Sequence, residues 1–233
     1  MSPTEPDRAD PTVDDRFESA GRHPSSAIVI RAGTAADAGV AAALHASQIS
    51  GGFLSLLGPH FLRRLYQRIC TSPRSFLIIA ECDGEPAGFI AGSTDVSGLY
   101  KSFLWHDGLK AAASAAGPII KSWRRVLETL RHGASAGAGV GRGGELLAVA
   151  VDPGRQGRGA GRMLVASFLD EVVGRGCDAA HVVVGADNGG AIALYQRAGF
   201  VATERFELHP GSESVLMQWD RPPTGPTSDA GPG

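Results

Sequence analysis

The stretch that decides the fold runs from Leu146 to Phe200: LLAVAVDPGRQGRGAGRMLVASFLDEVVGRGCDAAHVVVGADNGGAIALYQRAGF. It opens with an apolar strand, turns at Asp152-Pro153, and continues through the glycine-rich loop 154–161 into a helix with apolar periodicity over 162–173. A helix N-terminus exposes unpaired N–H groups and carries about half a positive charge. Glycines let the backbone approach an anion closely. The stretch therefore predicts a site for a diphosphate-bearing ligand that is held mainly by main chain.

Two common nucleotide-binding loops do not fit this stretch. A Walker loop needs the pattern GxxxxGK[ST], and no Lys-Ser or Lys-Thr pair closes the loop here. A dinucleotide fingerprint, GxGxxG, occurs at Gly139, Gly141 and Gly144, but it precedes a strand instead of joining a strand to a helix. We therefore expect neither an NTP-hydrolysing loop nor a dinucleotide-binding fold.

A different spacing matches. The loop carries Gln156-x-x-Gly159-x-Gly161, and it resembles the Q/R-x-x-G-x-G/A signature of the GNAT superfamily of acyl-CoA N-acyltransferases. Residues 188–200, NGGAIALYQRAGF, are similar to the family's N-x-x-A-x-x-x-Y-x-x-x-G-F segment. The resemblance is close over residues 146–200 and extends over 27–95 only in the order of elements.

The resemblance implies an α/β (α+β) fold. A single domain would contain a mixed central sheet that is splayed between its fourth and fifth strands, with helices on both faces and a helical insert before strand 4. Acetyl-CoA, the implied co-substrate, would lie in the gap, and its pantetheine arm would pair with free strand backbone. The implied cofactor-binding residues are Val149, Ala150, Val151, Gln156, Gly157, Arg158, Gly159, Ala160, Gly161, Arg162, Asn188, Ala191 and Tyr195.

The resemblance also implies two catalytic residues. Tyr195 corresponds to the family's proton donor to the departing thiolate, and the alternative is an aromatic side chain that packs against the sheet. Glu145 opens the fourth strand, where several members carry the base that deprotonates the amine; a water chain, or an exposed charge without a role, is the alternative. Three histidines are weaker candidates for the base. We expect His181 to be a hydrogen-bonded structural imidazole. His106 and His132 lie in the segment before strand 4 and could face a substrate, but no sequence feature places them there.

Composition divides the chain into three parts. Residues 1–26 are acidic and rich in proline, and residues 221–233 repeat that character, so we expect both to be disordered tails. The folded part is expected over 27–220, as one domain. We predict a first strand over 27–31, helices that end near Ile49 and span 60–70, and a hairpin of strands 75–82 and 87–93.

Net charge, hydropathy and cysteine spacing also argue against several classes of protein. The formal net charge of −2 over 233 residues argues against a nucleic-acid-binding protein, and no run of 18 apolar residues predicts a membrane span. The three scattered cysteines, Cys70, Cys82 and Cys177, form no CxxC pair, so we expect reduced thiols in a cytoplasmic protein and no metal site. We expect a monomer or a homodimer.

A basic segment interrupts the pattern before strand 4. Residues 96–133 form two helix-like pieces with an excess of Lys and Arg, and residues 133–144 form a glycine-rich linker. The insert is either a lid over the acceptor site or an amphipathic pair that covers the core; contact with an acidic membrane surface is a third, less favoured, interpretation.

These observations together predict an N-acetyltransferase that moves an acetyl group from acetyl-CoA to a primary amine by direct attack in a ternary complex. The acceptor is not defined by the sequence, although an aminosugar-type small molecule is slightly favoured. The alternative is a non-catalytic acyl-CoA-binding or regulatory module on the same fold, since a fold does not fix a function.

Overall fold

The computed structural model describes residues 27–49, 54, 58–103, 105, 143–209 and 211–223. Short 3-10 helices span Ala35–Asp37 and Pro153–Arg155, and residues 96–103 are helical. The principal elements, in chain order, are β1 (Ile28–Ala32), α1 (Ala38–Gln48), α2 (Pro59–Thr71), β2 (Ser75–Cys82), β3 (Glu85–Ser93), β4 (Gly143–Val151), α3 (Ala160–Gly174), β5 (Ala179–Gly185), α4 (Gly189–Arg197), β6 (Val201–His209) and β7 (Ser212–Asp220).

Seven strands form one mixed sheet in the order β1-β2-β3-β4-β5-β7-β6. The β4–β5 pair is parallel and the other five pairs are antiparallel. A parallel pair needs a long crossover connection, and α3 supplies it. The predicted mixed sheet with helices around it is confirmed.

The parallel pair is incomplete. Strands β4 and β5 pair at Gly143 with Ala179, Gly144 with Ala180 and Glu145 with His181, and the register ends there. Residues 146–151 then pair with β3 alone among the described strands. The predicted splay between strands 4 and 5 is therefore present, and it leaves one backbone edge of β4 without a neighbouring strand.

The sheet separates two hydrophobic cores. On one side, which we call the α1–α2 face, α1 and α2 pack on Leu77, Ile79 and Phe89. On the other side, the α3 face, the buried residues of α3 and α4 pack on Phe76 and Ile90. Strand residues alternate between these two cores because successive side chains of a strand point to opposite faces.

A β-bulge in β4 changes which side chains reach each core. Ala91 pairs with Ala148 and Gly92 pairs with Leu146, so Leu147 is the extra residue. Leu146 packs on the α3 face, whereas Ala148 packs on the α1–α2 face. Buried and half-buried residues alternate along the whole of β4, in its paired part as well as beyond it.

An ion-pair cluster fixes the start of the domain. The Asp37 carboxylate accepts hydrogen bonds from the N–H and the hydroxyl of Thr34, at 2.7 and 2.9 Å, as a capping-box variant predicts. Arg31 donates to Asp37 at 2.7 and 2.9 Å and to Glu81 at 2.6 Å. The hydrogen bond from Arg31 lowers the pKa of Asp37 well below its usual range. These contacts join β1 and β2 to the start of α1.

The predicted strands and helices agree with the structure to within a few residues, and the buried residues of α2 are apolar or aromatic. The linker was predicted to reach residue 144, but Gly143 and Gly144 already pair with β5 and begin β4. None of the helices in the described part of the chain is long and apolar enough to cross a membrane. The predicted tail 1–26 and residues 224–233 of the predicted C-terminal tail lie outside the described residues. So do His106, His132, nearly all of the insert after residue 103, and residues 133–142 of the linker.

Candidate active site

The glycine-rich loop has a backbone that only glycine adopts readily. Gly157 and Gly159 have φ values of +77° and +89°, in the left-handed region. Two side chains hold the loop: the Asp152 carboxylate accepts the N–H of Gly154 at 2.9 Å, and Gln156 Nε2 donates to the carbonyl of Val151 at 3.0 Å. The glutamine of the motif therefore closes the loop against the end of β4.

Three elements meet at the start of α3. A Cβ placed on Gly161 would lie 3.5 Å from Leu194 Cδ2 in α4 and 4.0 Å from Val151 Cγ2 in β4. The first amides of a helix have no partners within the helix, and the helix dipole favours negative charge there. This end of α3 can therefore bind a phosphate beside the end of β4, as the motif predicts.

The arginines around the loop differ in their partners. Arg155 donates to the backbone carbonyls of Cys82 and Glu85, at 2.7 and 3.2 Å, and so ties the β2–β3 turn to the loop. Arg158 reaches the Cys82 sulfur at 3.8 Å, and Arg162 is exposed in the first turn of α3. Arg155 therefore has a structural role, whereas Arg158 and Arg162 are the arginines that the resemblance assigns to cofactor binding.

The parted end of β4 presents backbone and small side chains. Val149 and Val151 pack on the α3 face and Ala150 on the α1–α2 face. The N–H and C=O groups of this edge point towards the gap, because a strand's hydrogen bonds lie in the plane of its sheet. An extended ligand could pair with that edge as an added strand does.

Helix α4 borders the same gap. Asn188 Oδ1 accepts the N–H of Ala191 at 3.1 Å, so Asn188 caps the N-terminus of α4. Tyr195 is only 4% exposed and belongs to the α3-face core, with its ring centroid 5.7 Å from that of Phe200. Burial raises the pKa of Tyr195 well above its usual range. The phenol therefore stays protonated and can act as a proton donor.

Glu145 lies at the last paired position of β4. Its Oε2 is 3.3 Å from Nε2 of His181, and the glutamate side chain is 26% exposed. Burial raises the pKa of Tyr100, in the helical segment 96–103, and the negative charge of Glu145 raises it further. Gly144 faces Val172 of α3, so alternation places Glu145 on the α1–α2 face.

A second buried imidazole lies on the α1–α2 face. His45 Nδ1 is 2.7 Å from the hydroxyl of Tyr66, whose ring packs edge-on against Phe89. Burial lowers the pKa of His45 to about 4. Sequence patterns did not predict the contact between His45 and Tyr66, because the two residues are 21 positions apart on separate helices. The sequence feature that could have indicated it is a side chain with a polar group on the otherwise apolar face of each helix.

The two predicted catalytic residues therefore lie on opposite faces of the sheet. Tyr195 belongs to the α3-face core, and Glu145 projects to the α1–α2 face. The gap between β4 and β5 connects the two faces of the sheet. A reaction that used both side chains would have to place its reacting atoms in that gap.

Comparison with known families agrees with the motifs. The model described as "Acetyltransferase (GNAT) family" matches residues 47–200, which is more than half of the chain. The match begins near the end of α1 and reaches Phe200, directly after α4, so it includes the splay, the loop and Tyr195.

Curated relatives cover shorter segments. A mycothiol acetyltransferase of Nocardioides sp. is 38% identical over 116 residues, which is 47% of this chain and 39% of that protein. A [ribosomal protein bS18]-alanine N-acetyltransferase of Salmonella typhimurium is 44% identical over 76 residues, which is 31% of this chain and 51% of that protein. The chain thus spans about half or less of these relatives' lengths.

Solved structures support the fold. The chain matches Salmonella typhimurium yncA, solved with its cofactor acetyl-CoA, with a TM-score of 0.55 and 16% identity, over 85% of this chain and 96% of that one. It matches the ribosomal-protein-S18-alanine N-acetyltransferase of Escherichia coli with a TM-score of 0.52 and 18% identity, over 86% and 98%.

Proposed function

Because this chain belongs to the acetyltransferase (GNAT) family, we propose that it transfers an acetyl group from acetyl-CoA to a primary amine of a small molecule. The observation that carries the proposal is the short register of β4 and β5, because pairing over only three residues leaves the edge of β4 free from residue 146 to the glycine-rich loop and the start of α3. A free strand edge next to an anion site suits a ligand with an amide-containing arm and a diphosphate.

The residues present fit that co-substrate. The left-handed glycines of the loop and the first amides of α3 would hold the diphosphate, with Arg158 and Arg162 supplying positive charge. The free edge from Val149 to Val151 would pair with the pantetheine arm. N–H groups of the same free edge, which begins at residue 146 next to Glu145, would polarise the thioester carbonyl, which is how backbone donors lower the barrier to acyl transfer.

The protons of the reaction have two destinations. An acceptor amine arrives protonated and must lose one proton before its nitrogen can attack the thioester carbon. We assign that step to the α1–α2 face, where the Glu145 carboxylate supplies negative charge. We assign protonation of the departing thiolate to Tyr195, whose phenol keeps its proton. The described site offers no nucleophile beside a base, so attack would be direct, in a ternary complex.

The acceptor class rests on the relatives. One of the two curated relatives described above is named a mycothiol acetyltransferase, as are relatives from several other bacteria, which favours a small-molecule amine; the other is named for a ribosomal protein's alanine. We therefore place small amines first, aminosugars among them, and a protein N-terminus second. We also place the protein in the cytoplasm, where its free thiols would remain reduced.

Calorimetric titration with acetyl-CoA, combined with measurement of released CoA thiol, tests this function. The amine panel is glucosamine, spermidine, lysine, S-methylcysteine and a peptide that begins with alanine. We expect binding, and thiol release with at least one small amine that exceeds the amine-free rate. Absence of heat at millimolar acetyl-CoA contradicts the function. Binding without thiol release across the panel favours a non-catalytic acyl-CoA-binding module instead.

A further inference from the structure

Two imidazole nitrogens are anomalous. Among the side-chain nitrogen and oxygen atoms of the described residues, His45 Nε2 and His181 Nδ1 are fully buried without a hydrogen-bond partner. Leaving a buried polar atom unpaired costs about 1–3 kcal/mol, so such atoms are rare unless a ligand or water uses them. The nitrogen of His181 is the more informative because of its position in the sheet.

His181 stands where β4 and β5 separate. It pairs with Glu145 at the last position of the parallel register. Its neighbours Ala180 and Val182 are buried in the α3-face core, so alternation turns His181 to the α1–α2 face, the same face as Glu145. Both side chains therefore sit at the closed end of the gap.

The contact with Glu145 defines the tautomer of the ring. An ionised carboxylate only accepts hydrogen bonds, so the imidazole nitrogen that faces Oε2, which is Nε2, must carry the hydrogen. In the neutral ring the other nitrogen, Nδ1, then holds a bare lone pair. A carboxylate that fixes the tautomer of an imidazole base is the arrangement that activates histidine in other acyl-transfer enzymes.

We propose that Glu145 and His181 form the proton-accepting pair of the acetyl transfer, in which Nδ1 of His181 takes the proton of the acceptor ammonium and Glu145 holds the ring. This rests on the proposed function. One N–H bond of the ammonium breaks and an Nδ1–H bond forms. The freed lone pair attacks the thioester carbon, the C–S bond breaks, and the thiolate takes the phenol proton of Tyr195.

The proton balance then closes. The nitrogen that has attacked loses a second proton as the amide forms, and this proton restores the phenol. His181 returns its proton to solvent. One ammonium and one thioester thus give one amide, one thiol and one proton.

Few other titratable groups face this pair. On β7 the cross-strand neighbour of His181 is Gln218, which does not titrate. On β3 the neighbour of Glu145 is Ser93. Among the described residues, Tyr100 of the helical segment 96–103 is the other titratable group whose pKa responds to the Glu145 charge, and burial and that charge keep it protonated.

Nitrogen-15 NMR tests the tautomer without any acceptor. In protein labelled on histidine, we expect the signals that disappear in His181→Gln to be those of a ring with hydrogen on Nε2 and a bare Nδ1. A ring with hydrogen on Nδ1 would overturn the proposal, since Nδ1 would have no lone pair to offer.

Kinetics tests the role. Glutamine at position 181 can still donate to Glu145 but offers no imidazole base, so we expect His181→Gln to lower kcat/KM by about 10²–10⁴-fold, with the panel amine that releases most thiol. The residual rate should rise with pH in proportion to the free amine. If His181 merely positions Glu145, this variant keeps nearly full activity and the proposal is wrong.

His45→Gln is the matched control. It also removes a buried imidazole with an unpartnered nitrogen from the same face, and glutamine can keep the hydrogen bond to Tyr66. We expect its kcat/KM to stay within about threefold of wild type. An equal loss in both variants overturns the assignment. Acetyl-CoA binding by all three proteins, with no thiol release even in wild type, would instead contradict the proposed function.

Discussion

Strands β4 and β5 have two very different ends. At the paired end, three residues of each strand are joined, and the side chains of Glu145 and His181 meet there at 3.3 Å. At the parted end, the strands separate, and the surroundings are backbone edge, glycines with left-handed conformations and the start of α3. One end is built from side chains and the other mainly from main chain.

This difference divides the proposed reaction. The main-chain site suits the diphosphate and the amide-bearing arm of the proposed co-substrate. A side-chain site at the closed end can instead handle protons. Changes at the parted end should therefore alter acetyl-CoA binding through backbone conformation, with Tyr195 as the exception, while changes at the paired end should alter stability and protonation.

Among changes at the parted end, substitution of Tyr195 should have the largest effect. Tyr195→Phe removes the proposed proton donor and leaves the ring in its core, so we expect kcat to fall by about 10²–10³-fold with little change in acetyl-CoA affinity. Steady-state thiol release and calorimetry measure the two quantities. Tyr66→Phe is the control: its hydroxyl bonds to His45 on the other face, so it should cost stability and leave kcat intact. Equal kcat losses in the two variants would contradict the role of Tyr195.

A substitution that disturbs packing at the paired end should have the next largest effect, on the free energy of unfolding. A Cβ on Gly144 would overlap the side chain of Val172 in α3. Gly144→Ala must therefore push α3 away from β4, and we expect the free energy of unfolding to fall by about 1–3 kcal/mol in urea denaturation. Gly39→Ala, in α1 with open space around the added methyl, should be neutral or stabilising. A Gly144→Ala protein as stable as wild type would mean that α3 does not pack tightly on the paired end.

The same difference explains what the sequence could predict. The loop motif and the segment 188–200 depend on residues close together in the chain, so the glycine-rich turn between β4 and α3 could be predicted directly, while its role as an anion site stays a prediction. The mixed sheet and its splay followed from the family resemblance and were confirmed.

The contacts of the paired end could not be predicted in this way. Glu145 and His181 are 36 residues apart, and their contact depends on the register of β4 against β5. A register shift of one residue would turn His181 to the opposite face. The bulge at Leu147 is likewise set by pairing with β3, and the bond between His45 and Tyr66 by the packing of α1 on α2. These are tertiary choices that local patterns do not encode.

As the pH falls below neutrality, the protein should first lose stability through His45, which is buried on the α1–α2 face. The pKa of His45 falls from 6.5 to about 4 on folding, so the unfolded chain binds more protons between these values. The contribution of His45 to stability is therefore fully present above pH 6.5 and is lost as the pH falls towards 4, by an amount on the order of 3 kcal/mol. Urea denaturation at pH 7 and pH 4.5 measures the loss.

Two variants sharpen that measurement. His45→Gln should remove most of the loss between pH 6.5 and 4, because the titrating group is gone. Below about pH 4 both proteins should lose stability, because the pKa of Asp37 is lowered in the fold and its contact with Arg31 disappears on protonation. An unchanged pH dependence in His45→Gln would show that another group carries the effect.

The smallest expected effect tests the main-chain character of the parted end. Gly159 has φ +89°, where an alanine is strained by about 1 kcal/mol. Gly159→Ala should therefore lower stability by about 1 kcal/mol and weaken acetyl-CoA binding by roughly fivefold, since a strained loop points its amides less well. Gly161→Ala is the matched control, because φ there is not positive and the added methyl meets Leu194 at an ordinary 3.5 Å. If Gly161→Ala weakens binding more than Gly159→Ala does, space beside α4, not the left-handed backbone, governs how the co-substrate is held.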